Sequence, residues 1–330
     1  MEYRRIADGK LEVSTVCMGC WAIVGGGTWG DQDKADALAA IRAARAEGVN
    51  FFDTAEGYGS GYSEQLIAEA LGADREKVVI ASKVSRSHLG AEAMPAACER
   101  SLKNLGTDYI DIYYIHWPNW EIPFDETVDA MGRLIEAGKV RHLAVSNFAP
   151  RDLADILPLA APAANQMAYN LLFRAVEHEV LPACRDAGVP LTCYCPIMQG
   201  LLAGKFASAD DVPDGRARTR LFSKDRPQAR HGEGGAEEEA FAALAAIRAI
   251  ADEAGMDMAA MSLAWLIGRD GVASVIVGSR SGEQSRRNAA AADLTLPADV
   301  AGRLDEITDP LKAALGPNCD LWQPMGSRMR

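Results

Sequence analysis

The sequence predicts an α/β protein of the (β/α)8 TIM-barrel class, opened by an N-terminal β-hairpin and carrying extended loops at the C-terminal rim. Three observations predict it. Eight short apolar runs, rich in Val and Ile with little strict alternation, recur along the chain, as strands buried on both faces require. Between them lie segments whose apolar residues repeat at helical spacing. No low-complexity linker or break in composition divides the 330 residues, so the alternation predicts one closed barrel domain, 1–330, in preference to a two-domain open sheet.

The elements follow in order. YRRIA and KLEVS flank Asp8-Gly9, a pair suited to a tight hairpin turn. The eight runs are TVCMGCW (15–21), VNFFDT (49–54), KVVIASKV (77–84), YIDIYYIHW (109–117), VRHLAVSNF (140–148), AANQMAYN (163–170), VPLTCYCP (189–196) and VASVIVGS (272–279). Helical stripes fall between them: Leu66, Ile67, Ala70 and Leu71; Val128, Met131, Leu134 and Ile135; Phe241, Leu244, Ile247 and Ile250. Gly48, Gly138 and Gly188 each end such a stretch just before a strand, the position of a helix C-cap. The stretch from Lys205 to Gly235 breaks the rhythm. It is long, polar and punctuated by Pro213, Asp214-Gly215 and Pro227, and it concentrates Arg216, Arg218, Arg220, Lys224, Arg226 and Arg230 in an acidic chain. A loop of this length is either a solvated surface excursion or a flap folding over the phosphates of a ligand.

Composition narrows the class. The chain is 48% hydrophobic and 24% charged, which suits a sizeable globular core rather than disorder. Its net charge of −12 argues against a nucleic-acid or anionic-membrane surface as partner. MEYRRIADGK has no apolar leader core, and no apolar run reaches the roughly 18 residues of a membrane span, so a cytoplasmic protein is expected. Of the seven cysteines, Cys17 and Cys20 form a CxxC, but residues three apart on a strand face opposite sides. No second Cys/His cluster completes a ligand set, and buried free thiols with no metal are the expectation.

In a (β/α)8 barrel the chemistry sits at the C-terminal ends of the strands. Those positions here are Trp21, Asp53, Lys83, His116-Trp117, Ser146-Asn147, Asn165-Gln166, Tyr194 and Gly278, with Tyr58 in the loop after Asp53. Each alone has an ordinary structural reading: a cap, a salt-bridge partner, a satisfied core histidine. Four ionisable groups converging on one rim point to chemistry instead. A free Tyr, with a pKa of about 10, gives up a proton reluctantly. Lys83 is the cation available to lower that pKa, and Asp53 is the carboxylate available to neutralise and orient Lys83.

These residues resemble a known family. FFDTAEGYGSGYSE is similar to the Asp-Thr-Ala-x-x-Tyr-Gly signature of the aldo-keto reductases, ASKV and YIHWP to the segments carrying that family's Lys and His, and VSNF to its cofactor-contacting Ser-Asn. YCPIMQGLLAGK and VGSRSGEQSRRNAA resemble its two phosphate-binding segments. The resemblance runs from the hairpin to about residue 320 and implies NADPH-dependent carbonyl reduction through Asp53, Tyr58, Lys83 and His116, the last positioning the substrate oxygen. It implies Tyr194 under the nicotinamide, with the carboxamide among Ser146, Asn147 and Gln166 and with Trp21 beside the cofactor. Met198, Gln199, Gly200, Leu201 and Lys205 would face the pyrophosphate, where loop-to-helix N–H groups suit an anion. Gly278, Ser279 and Arg280 would meet the 2′-phosphate end, with Gln284 and Asn288 near the adenosine. Cys195 and Met198-Gln199 depart from the commonest family pattern without removing a catalytic group.

Two other readings compete. Gly25-x-Gly27-x-x-Gly30 matches a Rossmann dinucleotide fingerprint, with Asp53 as the acidic partner, but the glycines do not end the strand directly, Trp21-Ala22-Ile23-Val24 coming first, and no second nucleotide-binding half is visible. A flexible substrate-side loop is the alternative. The potassium-channel β subunits also resemble this family and act largely as NADP-binding regulatory partners; the complete tetrad favours turnover here. For substrate, Trp29, Trp117, Asn318 and Trp322 are the candidates, with the tail LGPNCDLWQ closing over the pocket. That polar tail, similar in pattern to bacterial sugar- and polyol-type members, suggests a small hydroxylated, sugar-like carbonyl. A monomer and a homo-oligomer are both compatible with the sequence.

Overall fold

The computed structural model describes all 330 residues. Strands β1 (Tyr3–Ile6) and β2 (Leu11–Ser14) form the antiparallel hairpin, turned through Asp8 and Gly9 with positive φ, which is the conformation a tight two-residue turn demands. Eight parallel strands follow: β3 (Val16–Gly19), β4 (Phe51–Asp53), β5 (Val79–Val84), β6 (Ile110–Ile115), β7 (Val140–Ser146), β8 (Asn165–Ala168), β9 (Leu191–Tyr194) and β10 (Val272–Gly278). They close into a barrel in sequence order, β10 pairing with β3 through Val275–Gly278 against Val16–Gly19. Each lies within one of the eight apolar runs. The closed parallel barrel removes the Rossmann alternative, because there is no open sheet with a switch point.

Two layers of core hold it. An outer layer of 82 buried residues fills the space between the barrel and its helices. Leu66, Ile67 and Leu71, then Met131 and Leu134, then Leu244, Ile247 and Ile250 are buried there, as their helical stripes require; Ile135, at the edge of its stripe, stays exposed. Gly48, Gly138 and Gly188 adopt positive φ at the helix-to-strand turns. An inner cluster of 13 residues fills the barrel, and Ile6 and Val13 of the hairpin join it and plug the N-terminal end. Each fully buried Val, Ile or Phe among them contributes about 1.5–3 kcal/mol of apolar burial.

The two-residue period of the strands decides what reaches the rim. Phe51 on β4 faces inward, so Asp53 does too; Val79 and Ala81 on β5 lead to Lys83, and Ile112 and Tyr114 on β6 lead to His116. Cys17 belongs to the inner cluster and Cys20 to the outer one, so the CxxC pair faces opposite sides. All seven cysteines are free thiols. No helix is long and apolar enough to cross a membrane.

The stretch 205–235 is irregular but packed. Arg220 is buried and bonds the carbonyls of Leu315 and Asn318 while pairing with Glu233, and Arg226 forks onto Glu237. Leu221 and Phe222 are buried beneath it. Gly215 passes close to the backbone of Gly27 and Thr28, so the flap reaches across to the loop after β3.

Candidate active site

Lys83 is fully buried at the centre of the rim. Its Nζ donates to Asp53 Oδ1 at 2.6 Å, to the Thr54 carbonyl at 2.7 Å and to the Tyr58 hydroxyl at 3.2 Å. Asp53 is clamped from the other side by Gln166 Nε2 at 2.8 Å on Oδ2. Its carboxylate is thus paired and hydrogen-bonded on both oxygens, the condition under which a buried charge is tolerated. Burial alone would push the Lys83 ammonium down; Asp53 and Tyr58 outweigh it and hold the group above its ordinary value.

The same burial pushes the Tyr58 phenol above its ordinary value, with Lys83 opposing and Asp53 reinforcing the rise. The expectation that Lys83 brings Tyr58 down is therefore corrected: desolvation outweighs the cation. Tyr58 holds its proton at neutral pH, and Lys83 limits how tightly. Trp21 stacks on the Tyr58 ring at 5.9 Å, and the His116 ring meets it edge-on at 6.1 Å. Burial, with Lys83 and Arg328 nearby, pushes the His116 imidazole down to about 3, so it is neutral near pH 7.

A cavity of about 740 Å³ extends from this cluster along the rim. Asp53, Tyr58 and His116 line it at one end, and Arg280, Gln284 and Asn288 at the other. Lys83 lies beneath the floor, in contact with the lining through Asp53 and Tyr58. Between the ends, Asn147, at φ +62, donates to the His116 carbonyl and to Ser146 Oγ, and accepts from the Tyr194 hydroxyl at 2.8 Å. Ser146, Gln166 and Tyr194 also line the wall.

Along the segment 198–205, Gln199, Gly200 and Lys205 line the cavity, whereas Met198 and Leu201 turn into the core. Cys195, Met198 and Gln199 all take positive φ, a strained run for residues with side chains. The buried amide of Gln199 has no hydrogen-bond partner for either atom. Gly278 lines the cavity; Ser279 sits behind it, its Oγ accepting from Asn288 at 3.0 Å. The Arg280 guanidinium donates to the Trp29 carbonyl, the Asp31 carbonyl and Gln32 Oε1, and no carboxylate pairs with it. These bonds tie the glycine loop to the segment after β10, so the expected flexible substrate loop is instead an anchored wall. Gly25 there takes φ +66, and a Cβ on it would lie 2.8 Å from the Gly30 carbonyl.

Of the substrate candidates, Trp29, Trp117 and Trp322 line the cavity and Asn318 does not. Asn318 spends its side chain on the Gln323 carbonyl and the Asp320 N–H, which fold the tail onto itself. Trp322 then lies parallel to Tyr194, with ring centroids 5.7 Å apart. Sequence reasoning did not assign the Gln166–Asp53 clamp, nor did it single out Arg287 or Arg328, both of which line the cavity. Arg328 lies at the chain's far end, where no periodicity or motif marks it.

A family model described as the aldo/keto reductase family matches residues 15–309. The chain belongs to the aldo/keto reductase family. A Bacillus subtilis aldo-keto reductase, YhdN, is 37% identical over a segment covering 62% of this chain and 65% of that protein. A probable voltage-gated potassium channel subunit beta from Arabidopsis thaliana is 30% identical over 89% of this aldo/keto reductase and 92% of its own length. Among solved structures, a Klebsiella pneumoniae aldo/keto reductase in complex with NADP and acetate superposes with a TM-score of 0.73 at 31% identity, covering 93% of this chain and 95% of that one.

Proposed function

We propose that this protein is a cytoplasmic, single-domain enzyme that reduces the carbonyl of a small aldehyde or ketone reversibly with NADPH. The observation that carries the reading is Lys83 Nζ in simultaneous contact with Asp53, Tyr58 and the Thr54 carbonyl, beside a neutral His116. The cavity fits the cofactor on its own chemistry. Lys205, Arg216 and Arg280 are cations without carboxylate partners along one side, and Gln199 offers a buried, unpartnered amide between the catalytic end and Arg280.

Tyr194 would support the nicotinamide face, and Ser146 and Asn147 its carboxamide. Gln199, Gly200, Lys205 and Arg216 would hold the diphosphate, and Arg280 the 2′-phosphate. Bound NADPH supplies the hydride that the carbonyl carbon accepts. His116, as neutral imidazole, would donate a hydrogen bond that holds the carbonyl oxygen toward Tyr58. Tyr58 would pass its hydroxyl proton to that oxygen, and Lys83 would stabilise the phenolate left behind. Asp53, fixed by Gln166, keeps Lys83 aimed at Tyr58 rather than at solvent. A small hydroxylated, sugar-like compound is the proposed substrate: the indole walls of Trp117 and Trp322 suit its C–H faces, as they suit flat apolar carbonyls, while Asn318 is spent within the tail.

A regulatory NADP-binding role like that of the channel β subunits is the second reading, favoured by the similarity to the Arabidopsis protein. NADPH consumption across a panel of aldehydes and ketoses, including 4-nitrobenzaldehyde, separates the two. Turnover that falls about 10²-fold or more in Tyr58→Phe, with NADPH binding retained, supports the enzyme reading. No consumption with any substrate would overturn it.

A further inference from the structure

The cations of the 205–235 flap divide into distinct sets. Arg220 and Arg226 are consumed by Glu233 and Glu237 and staple the loop down. Arg216 lies with Gly200 and the Trp29 ring, facing Arg280, on the diphosphate side. Arg218 and Arg230 do neither. Both line the cavity, and no carboxylate lies within ion-pair distance of either. Arg218 donates Nε only to the Gly215 carbonyl at 2.9 Å, and its charge is felt by Cys195, Arg230 and Arg328.

Arg328 completes the group from the C-terminal tail. Buried Asp320 grips it through two bonds, Nε to Oδ2 at 2.9 Å and Nη2 to Oδ1 at 2.7 Å. Its guanidinium lies 3.7 Å above the Trp117 ring, beside His116. Asp320 also accepts the N–H groups of Trp322 and Gln323, so the turn that positions Arg328 positions Trp322 with it. The indole N–H of Trp322 has no acceptor in the protein. Three guanidiniums against one carboxylate leave a net positive wall at the catalytic end, in a chain whose overall charge is −12. Arg218 and Arg328 are half-buried and Arg230 is exposed, and the repulsion among the three is relieved when an anion joins them.

Resting on the carbonyl-reduction reading, we propose that Arg218, Arg230 and Arg328 form an anion subsite for the substrate, which is a short aldehyde or ketone carrying a carboxylate or phosphate group near its carbonyl. Arg328 lies over Trp117 and its charge is felt at His116, so an anion held there sits at the catalytic end of the cavity. Arg218 and Arg230, with no carboxylate partner, can offer a planar guanidinium fork to a carboxylate or phosphate in two-point contact, while Arg328, its Nε–Nη2 edge held by Asp320, adds charge.

The test compares matched pairs with NADPH in saturating amount: succinic semialdehyde against butanal, and glyceraldehyde 3-phosphate against glyceraldehyde. The anionic member of at least one pair should exceed its neutral partner in kcat/KM by about tenfold or more, mainly through KM, with the advantage shrinking as salt rises. Preference in only one pair identifies the anion as carboxylate or as phosphate. Arg218→Gln with Arg230→Gln should collapse that ratio, and Arg328→Lys should lower it while keeping the charge on Asp320. Calorimetric titration of the NADP+-loaded protein with succinate should show binding that the double variant loses. Ratios near one in both pairs, while 4-nitrobenzaldehyde is still turned over, would overturn the subsite and leave carbonyl reduction standing. Variants that weaken NADPH binding without changing the ratio would likewise overturn it, by assigning the arginines to the cofactor. Failure to reduce any of the compounds would sink both readings.

Discussion

Lys83 is the residue on which stability and chemistry are coupled, and Lys83→Met separates them. Methionine keeps most of the volume and removes the charge. Asp53, buried at 3% exposure, is then an ionised carboxylate with Gln166 as its remaining partner, having lost a 2.6 Å contact. Removing one partner of a buried ion pair costs about 3–5 kcal/mol. Tyr58 loses the cation that opposes the rise of its pKa, so proton donation weakens and the rate falls by about 10²- to 10⁴-fold. The second substitution decides between the two effects. Adding Asp53→Asn removes the stranded charge, so Lys83→Met/Asp53→Asn should recover most of the lost stability in urea unfolding while recovering none of the activity. A double variant as unstable as the single one would mean that the carboxylate is not the source of the cost. Recovery of turnover in the double variant would refute the role of Lys83 beside Tyr58.

Three further outcomes follow from the site. Arg280→Ala should weaken NADPH binding by about tenfold or more and NADH binding much less, because a charge-assisted contact to the 2′-phosphate is lost; equal affinity of the wild type for both cofactors in fluorescence titration would refute the assignment. Trp322→Ala removes the ring lying parallel to Tyr194 and should raise KM for hydroxylated carbonyls several-fold more than for 4-nitrobenzaldehyde; this point variant is preferable to cutting the tail after Asp309, which would fall inside the helix Ala298–Leu315 and delete the buried Leu311 and Leu315 from the core. His116 is held near 3 against an ordinary 6.5, so below about pH 6.5 the unfolded chain takes up a proton that the folded protein refuses. Stability should therefore fall as pH drops toward 3, by about 1.4 kcal/mol per unit for this group, and His116→Gln should flatten that slope in urea titrations between about pH 6 and pH 4; an unchanged slope would show that the imidazole is not buried neutral.

The fold and the side chains that meet at the candidate site were legible in the sequence because both follow from local rules. Parallel strands covered on both faces must be apolar throughout, so eight such runs stood out. A two-residue period carries Phe51 to Asp53, Val79 to Lys83 and Ile112 to His116 on one inward face. Glycine at Gly48, Gly138 and Gly188 marked the helix ends because positive φ is cheap only there. What the sequence could not reveal lies between residues far apart in the chain. Gln166 reaches Asp53 across 113 positions, and Arg280 holds the loop of Trp29 across 251. Nothing local distinguishes Arg220, which staples the tail, from Arg218, which faces the cavity two residues earlier. Nor does composition tell that burial outweighs Lys83 at Tyr58, since desolvation depends on what the finished barrel excludes from water. Local spacing determined which side chains point to the rim; only tertiary packing decided which charges are spent on one another and which remain free for a ligand.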